Sequence, residues 1–178
     1  MQTINFIKIK PQILEPQHIN YEDLSRIGGK ARNLKKLTDF GLNVPIWVVI
    51  PDNILGGNPS KELIESIELD ESFLTQIEAV FSKNTLFTVR SSASLEDGDN
   101  HSFAGQFESF LFVKKEDLGE AIRKVWLSVF SKNVQTYLDS KNIKSHNRIA
   151  VIIQEMVNAE VSGVGFGINP VEGDRNAK

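Results

Sequence analysis

One apolar stripe constrains this chain more than any other feature. Leu118, Ile122, Val125, Trp126, Val129, Phe130, Val134, Tyr137 and Leu138 recur on one side at a helical period, which predicts a continuous helix of about 20 residues. Strand-like runs supply the rest of the body: Trp47 to Ile50 between Pro45 and Pro51, Leu86 to Arg90, Phe107 to Val113, and Ile149 to Ile153. Val161 to Ile168, following the polar pair Asn158 and Glu160, is predicted to close a hairpin with the last of these. Ile27, Ala31, Leu34 and Leu37 predict a helix from about 29 to 40, stopped by Gly41. Leu63, Ile64 and Ile67 predict a short second helix, and Phe73, Leu74, Ile77, Val80 and Phe81 a third. The element order indicates an α+β fold with antiparallel pairing in its second half.

The 178 residues amount to one domain at roughly 150 residues per domain. Residues 1–20, with Pro11 and Pro16, read as an extended lead-in, and 21–178 as the domain, in lobes of about 21–85 and 86–178. The net charge of −3 comes without any run of five or more Lys and Arg, which argues against a nucleic-acid partner. The absence of cysteine excludes disulfides, zinc ribbons, iron–sulfur clusters and thiol nucleophiles, and leans towards a cytoplasmic location. No apolar run approaches the 18 residues or so of a membrane span, so no membrane association is expected.

Five short segments carry the chemistry. Gly28-Gly29-Lys30 opens the first helix, where glycines, free helix N–H groups and a lysine can hold a phosphate; a plain helix start with a solvated lysine is the alternative. In Val89-Arg90-Ser91-Ser92, Arg90 leaves a buried strand end and can offer a planar donor fork to phosphate oxygens, or pair with Glu96 or Asp97. Ser102-Phe103-Ala104-Gly105-Gln106 is a small-residue loop that could close over phosphates, or an ordinary turn with Phe103 in the core. Gln154-Glu155-Met156-Val157 ends an apolar strand, where backbone groups can read a purine edge while Met and Val pack on its faces. Gly163, Gly165 and Gly167 share one face of the last predicted strand and imply close approach by a ligand or another backbone. By contrast, His18, His101 and His146 have no ligand spacing, and Asp97 and Asp99 lack the spacing of a calcium loop, so no metal site is predicted.

Taken in order, Gly28-Gly29-Lys30-Ala31 with Gly41 to Pro45, Val89 to Ala93 with Glu96-Asp97, Ser102 to Gln106, Gln154 to Val157, and Ser162 to Phe166 with Asn169-Pro170 resemble the N-terminal nucleotide-binding region of the phosphoenolpyruvate synthase and pyruvate phosphate dikinase family, over about residues 20–172. The resemblance implies an ATP-grasp type fold, incomplete at its C-terminal end, with ATP held between two lobes. It implies that Gly28, Gly29, Lys30 and Arg90 contact phosphates, with Lys30 and Arg90 as the catalytic cations. Ser102, Gly105 and Gln106 would close over the phosphates, and Gln154, Glu155, Met156 and Val157 would line the adenine pocket. In that family a phosphoryl group of ATP passes through a phosphohistidine domain to pyruvate or another acceptor. The family's Mg²⁺ ligands lie beyond the strand of Asn169-Pro170, and the phosphohistidine and acceptor domains are expected in the full-length protein or in trans. The expectation is therefore an ATP-binding portion that binds nucleotide weakly alone and transfers no phosphate. Two alternatives are a non-catalytic nucleotide- or partner-binding module and a subunit of a split enzyme.

Overall fold

The computed structural model describes residues 7–9, 11–83, 85–93, 107–140 and 147–165. The fold is α+β, as expected. Four strands, β2 (Trp47–Ile50), β4 (Phe87–Ser92), β5 (Ser109–Val113) and β6 (Ala150–Glu155), form one sheet in the order β2-β6-β4-β5, antiparallel throughout. β2 and β6 are continuous apolar runs because both of their faces are covered. On one face Val48, Ile50, Val89, Val151 and Ile153 pack with Ile122, Val125 and Trp126 of α4 (Leu118–Leu127). On the other, Trp47, Val49, Ala150 and Ile152 pack with Ile27 and with Ala31 of α1 (Gly28–Asp39). Each fully buried Val, Ile or Leu side chain contributes about 1.5–3 kcal/mol relative to leaving it exposed, so burial on both faces of this sheet is a large stabilising contribution.

Several expectations are corrected. The apolar stripe is two helices: α4 ends in a 3₁₀ turn at Ser128–Phe130, Ser131 adopts an extended conformation (ψ 147°), and α5 (Lys132–Ser140) starts after it. Serine is the cause, since the Ser128 hydroxyl donates to Val125 O (2.6 Å) and Ser131 Oγ accepts the Val134 N–H (3.4 Å), giving the chain a stop and a fresh start. Ile67 belongs to a strand, β3 (Ile67–Leu69), and the helix before it, α2 (Lys61–Glu65), is correspondingly short. The third predicted helix is present as α3 (Glu71–Val80), capped by Asp70, whose carboxylate accepts the Ser72 N–H at 2.7 Å. The first residues are more than a lead-in: β1 (Ile7–Ile9) pairs in parallel with β3, and Leu14 and Val49 exchange backbone hydrogen bonds of 2.9 and 3.0 Å.

β4 runs on to Ser92, and β5 starts at Ser109 with an irregular register and Phe112 at φ 54°. Its outer positions are open, with Leu111 58% and Phe112 52% exposed. The hairpin partner expected from Val161 is not formed over 161–165, which are exposed and outside any strand, while 166–168 lie outside the described residues. The division at residues 85 and 86 does not separate the sheet, because β2 from one stretch pairs with β6 from the other.

Candidate functional site

The start of α1 is locked onto the end of β4. Gly28 has φ 71°, and a Cβ there would lie 2.1 Å from the Ser92 carbonyl oxygen, so only glycine fits. The Gly29 N–H donates to Ala93 O (3.2 Å), the Ala31 N–H to Ser92 Oγ (3.0 Å), and Lys30 Nζ to Ser91 O (3.3 Å). Helix N-termini leave N–H groups unpaired, and here a strand end satisfies two of them. The close approach that Gly28 allows is therefore to protein backbone.

Strand alternation sets the rest. Thr88, Arg90 and Ser92 of β4 share a face with Ala150, Ile152 and Gln154 of β6, the face that α1 covers. Arg90 is half-buried, sits opposite Ile152 and Ser109, and has no ion-pair partner among the described residues. Glu96 and Asp97, its possible partners, lie outside them.

At the other end of the same face β6 runs out. Gln154 donates through Nε2 to Pro45 O (3.3 Å), the Glu155 N–H to Ile46 O (2.8 Å) and the Met156 N–H to Leu86 O (2.8 Å). Met156 Sδ accepts from the Thr88 hydroxyl at 2.9 Å. The Glu155 carbonyl and the Val157 N–H have no hydrogen-bond partner among the described residues, and Val157 is exposed. Of the Gln154–Val157 line, the Glu155 carbonyl and the Val157 N–H are open to a ligand edge, as is the Met156 carbonyl between them. At about 3.3 Å per residue, Met156 lies roughly 13 Å along β6 from the level of Arg90.

Ser102, Gly105 and Gln106 lie outside the described residues, as do Asp97, Asp99, His101 and His146. Among the described residues no group of three or more acidic or histidine side chains could hold a metal ion. Gly163 and Gly165 have nothing within 4 Å of a would-be Cβ, so no described residue makes the close contact expected there, and Gly167 lies outside the described residues. Two contributors were missed. Ser92 caps a helix across 61 residues of sequence, which no local pattern announces. Thr88 stood in the sequence two residues before Arg90, the spacing that puts both on one face.

A cavity of about 700 Å³ lies elsewhere, among Glu78, Phe81, Lys83, Leu86, Phe87 and Lys114. Near the start of α1, Arg26 pairs with the buried Asp23, and the Asp52 N–H donates to Arg26 O (2.8 Å). Burial raises the Asp52 carboxyl above its ordinary pKa, opposed by Arg148 and Arg26.

Residues 49–178 match the pyruvate phosphate dikinase AMP/ATP-binding domain. The chain belongs to that family. Relatives of this AMP/ATP-binding domain include the prodigiosin synthesizing transferase PigC of Serratia marcescens, 34% identical over 85% of this chain and 19% of the relative. The phosphotransferase YvkC of Bacillus subtilis is 32% identical over 86% of this chain and 21% of the relative. A probable phosphoenolpyruvate synthase of Pyrococcus horikoshii is 35% identical over 92% and 23%. The domain thus spans about a fifth of the length of these relatives. Among the described residues no helix is long and apolar enough to cross a membrane.

Proposed function

We propose that this domain binds ATP as the nucleotide-binding portion of a dikinase-type phosphotransferase, in an ATP-grasp arrangement where the α1 face of the sheet meets a second lobe. One observation carries the reading: a single sheet face has two cations at one level, Lys30 and Arg90, and two open peptide groups at its end, on Glu155 and Val157. On this reading Arg90 presents its planar fork to phosphate oxygens, and Lys30 exchanges its long bond to Ser91 O for a phosphate. The Glu155 carbonyl and Val157 N–H meet the edge of the base, with Met156 against its face. Phosphoryl transfer depends on positioning and positive charge more than on covalent chemistry, so cations and peptide dipoles suffice as this chain's share. The phosphoryl group would pass through a phosphohistidine of another domain to pyruvate or another acceptor. Mg²⁺ would neutralise phosphate charge when bound, but the described residues do not assemble a site for it and no step is assigned through it. A cytoplasmic location belongs to the same reading.

The test is thermal unfolding with and without Mg·ATP, in the wild type and in Lys30→Ala/Arg90→Ala. At 100 times its dissociation constant a ligand stabilises by about 2.7 kcal/mol. A clear shift that disappears in the double variant is expected; a wild type that does not respond to saturating ATP overturns the reading. The bond from Lys30 Nζ to Ser91 O favours a second reading, in which Lys30 is a brace in a non-catalytic module. That reading requires Lys30→Ala to lower the unfolding temperature without ligand and to leave any ATP response intact.

A further inference from the structure

Thr88 brings a hydroxyl into a covered strand position. It lies within the run Phe87-Thr88-Val89, at the centre of a four-stranded sheet, where valine packs equally well and brings no hydroxyl to satisfy. The residue is only 8% exposed, and a buried hydroxyl needs a partner. Its cross-strand neighbour Gln154 does not provide one, since that amide is turned to Pro45 O. The Thr88 hydroxyl donates instead to the Met156 thioether, a weak acceptor, at 2.9 Å. Met156 is thereby held twice, by its N–H on Leu86 O and by its sulfur on Thr88. Methionine is ordinarily the most adaptable apolar side chain, with three rotatable bonds.

We propose that Thr88 is a positioning residue for the base end of the nucleotide site, fixing the Met156 thioether where an aromatic ring will rest on it. The proposal rests on the nucleotide reading and deepens it. Sulfur–aromatic contacts are favourable, and a side chain ordered before the ligand arrives loses no freedom on binding. Thr88 lies on the face of Arg90, two residues nearer the open end of β6, so it serves the base while Arg90 and Lys30 serve the phosphates. The ligand class is an aromatic base carrying a polyphosphate.

The chain has two methionines, Met1 and Met156, so methyl-¹³C methionine labelling gives one reporter at the site. Titrations use ATP and inorganic tripolyphosphate with the wild type, Thr88→Val and Thr88→Ser. In the wild type, ATP is expected to move the Met156 methyl resonance and tripolyphosphate to bind with far less effect on it. Thr88→Val keeps the shape and removes the hydroxyl. It is expected to shift the Met156 resonance of the free protein and to weaken ATP roughly three- to tenfold, with tripolyphosphate affinity unchanged. Thr88→Ser is expected to restore both. If Thr88→Val leaves ATP affinity and the Met156 resonance unchanged, or weakens both ligands equally, the positioning role is wrong and the nucleotide reading stands. If tripolyphosphate binds, ATP binds no better, and Met156 does not respond, the base lies elsewhere and the proposal fails while the phosphate end survives. A wild type that binds neither ligand removes the nucleotide reading and this proposal with it.

Discussion

Two stretches of the chain treat glycine in opposite ways. Where α1 meets β4, Gly28 adopts a left-handed conformation with the Ser92 carbonyl in the space a side chain would need, and Ser92 closes the helix start from across the sheet. Past the end of β6, a Cβ on Gly163 or Gly165 would meet no described residue within 4 Å. The first is a lock between two segments of the same chain; the second leaves bare backbone for something else to approach. A rigid floor beneath the proposed phosphates, and uncovered backbone downstream of the proposed base pocket, suit a ligand whose anionic part is always the same and whose partners must close over it.

Substitution can break this contrast. The largest effect is expected from Gly28→Ala, which meets both the left-handed penalty and a backbone clash; a loss of about 3 kcal/mol or more should appear in urea unfolding. A loss below about 1 kcal/mol would mean that the lock is loose. Ser92→Ala removes the acceptor for the buried Ala31 N–H and should cost about 1–2 kcal/mol by the same measurement. Gly163→Ala and Gly165→Ala should change stability by no more than about 0.5 kcal/mol. The contrast sharpens if either of these still weakens ATP, because the approach to bare backbone would then be the ligand's own.

The smallest effect concerns Asp52. Its folded pKa lies above the ordinary value because burial outweighs the attraction of Arg148 and Arg26. The native state therefore binds this proton more tightly than the unfolded chain, and the contribution, complete in acid, is lost as pH rises from the ordinary carboxylate pKa through the raised one. Asp52→Asn has no such titration. The unfolding temperature of the wild type minus that of Asp52→Asn should fall through that window and then level off; a difference that rises there would contradict the sign.

Legibility in the sequence followed the range of the forces. Hydrophobic period is local, so α1, β2, α3 and β6 could be read from Ile27, Trp47, Phe73 and Ile149 onward. Where the decision was long-range, reading failed. Ile67 carries a helical spacing, yet it joins β3 because β1, some 60 residues earlier, supplies a parallel partner. The stripe from Leu118 to Leu138 keeps its period across a break, because hydroxyls at Ser128 and Ser131 redirect the backbone without changing which side is apolar. At the candidate site, Lys30 was legible as a helix-start cation and Arg90 as a strand-end cation. That Lys30 leans on Ser91, and that Thr88 grips Met156, are contacts between segments 61 and 68 residues apart, and no window along the chain contains both partners.

The strand order also fixes a timetable. β6 comes last among the described strands yet sits inside the sheet, and Trp47 must wait for Gln154, 107 residues later, before its ladder can form. At 5–20 residues per second on the ribosome that is a delay of roughly 5 to 20 s. Throughout it, the Trp-Val-Val-Ile edge of β2 has only Leu14 as a strand partner among the described residues. A newborn chain stalled between β5 and β6 presents the apolar Trp-Val-Val-Ile strand without its β6 ladder, an unpaired edge of the kind on which other chains can add.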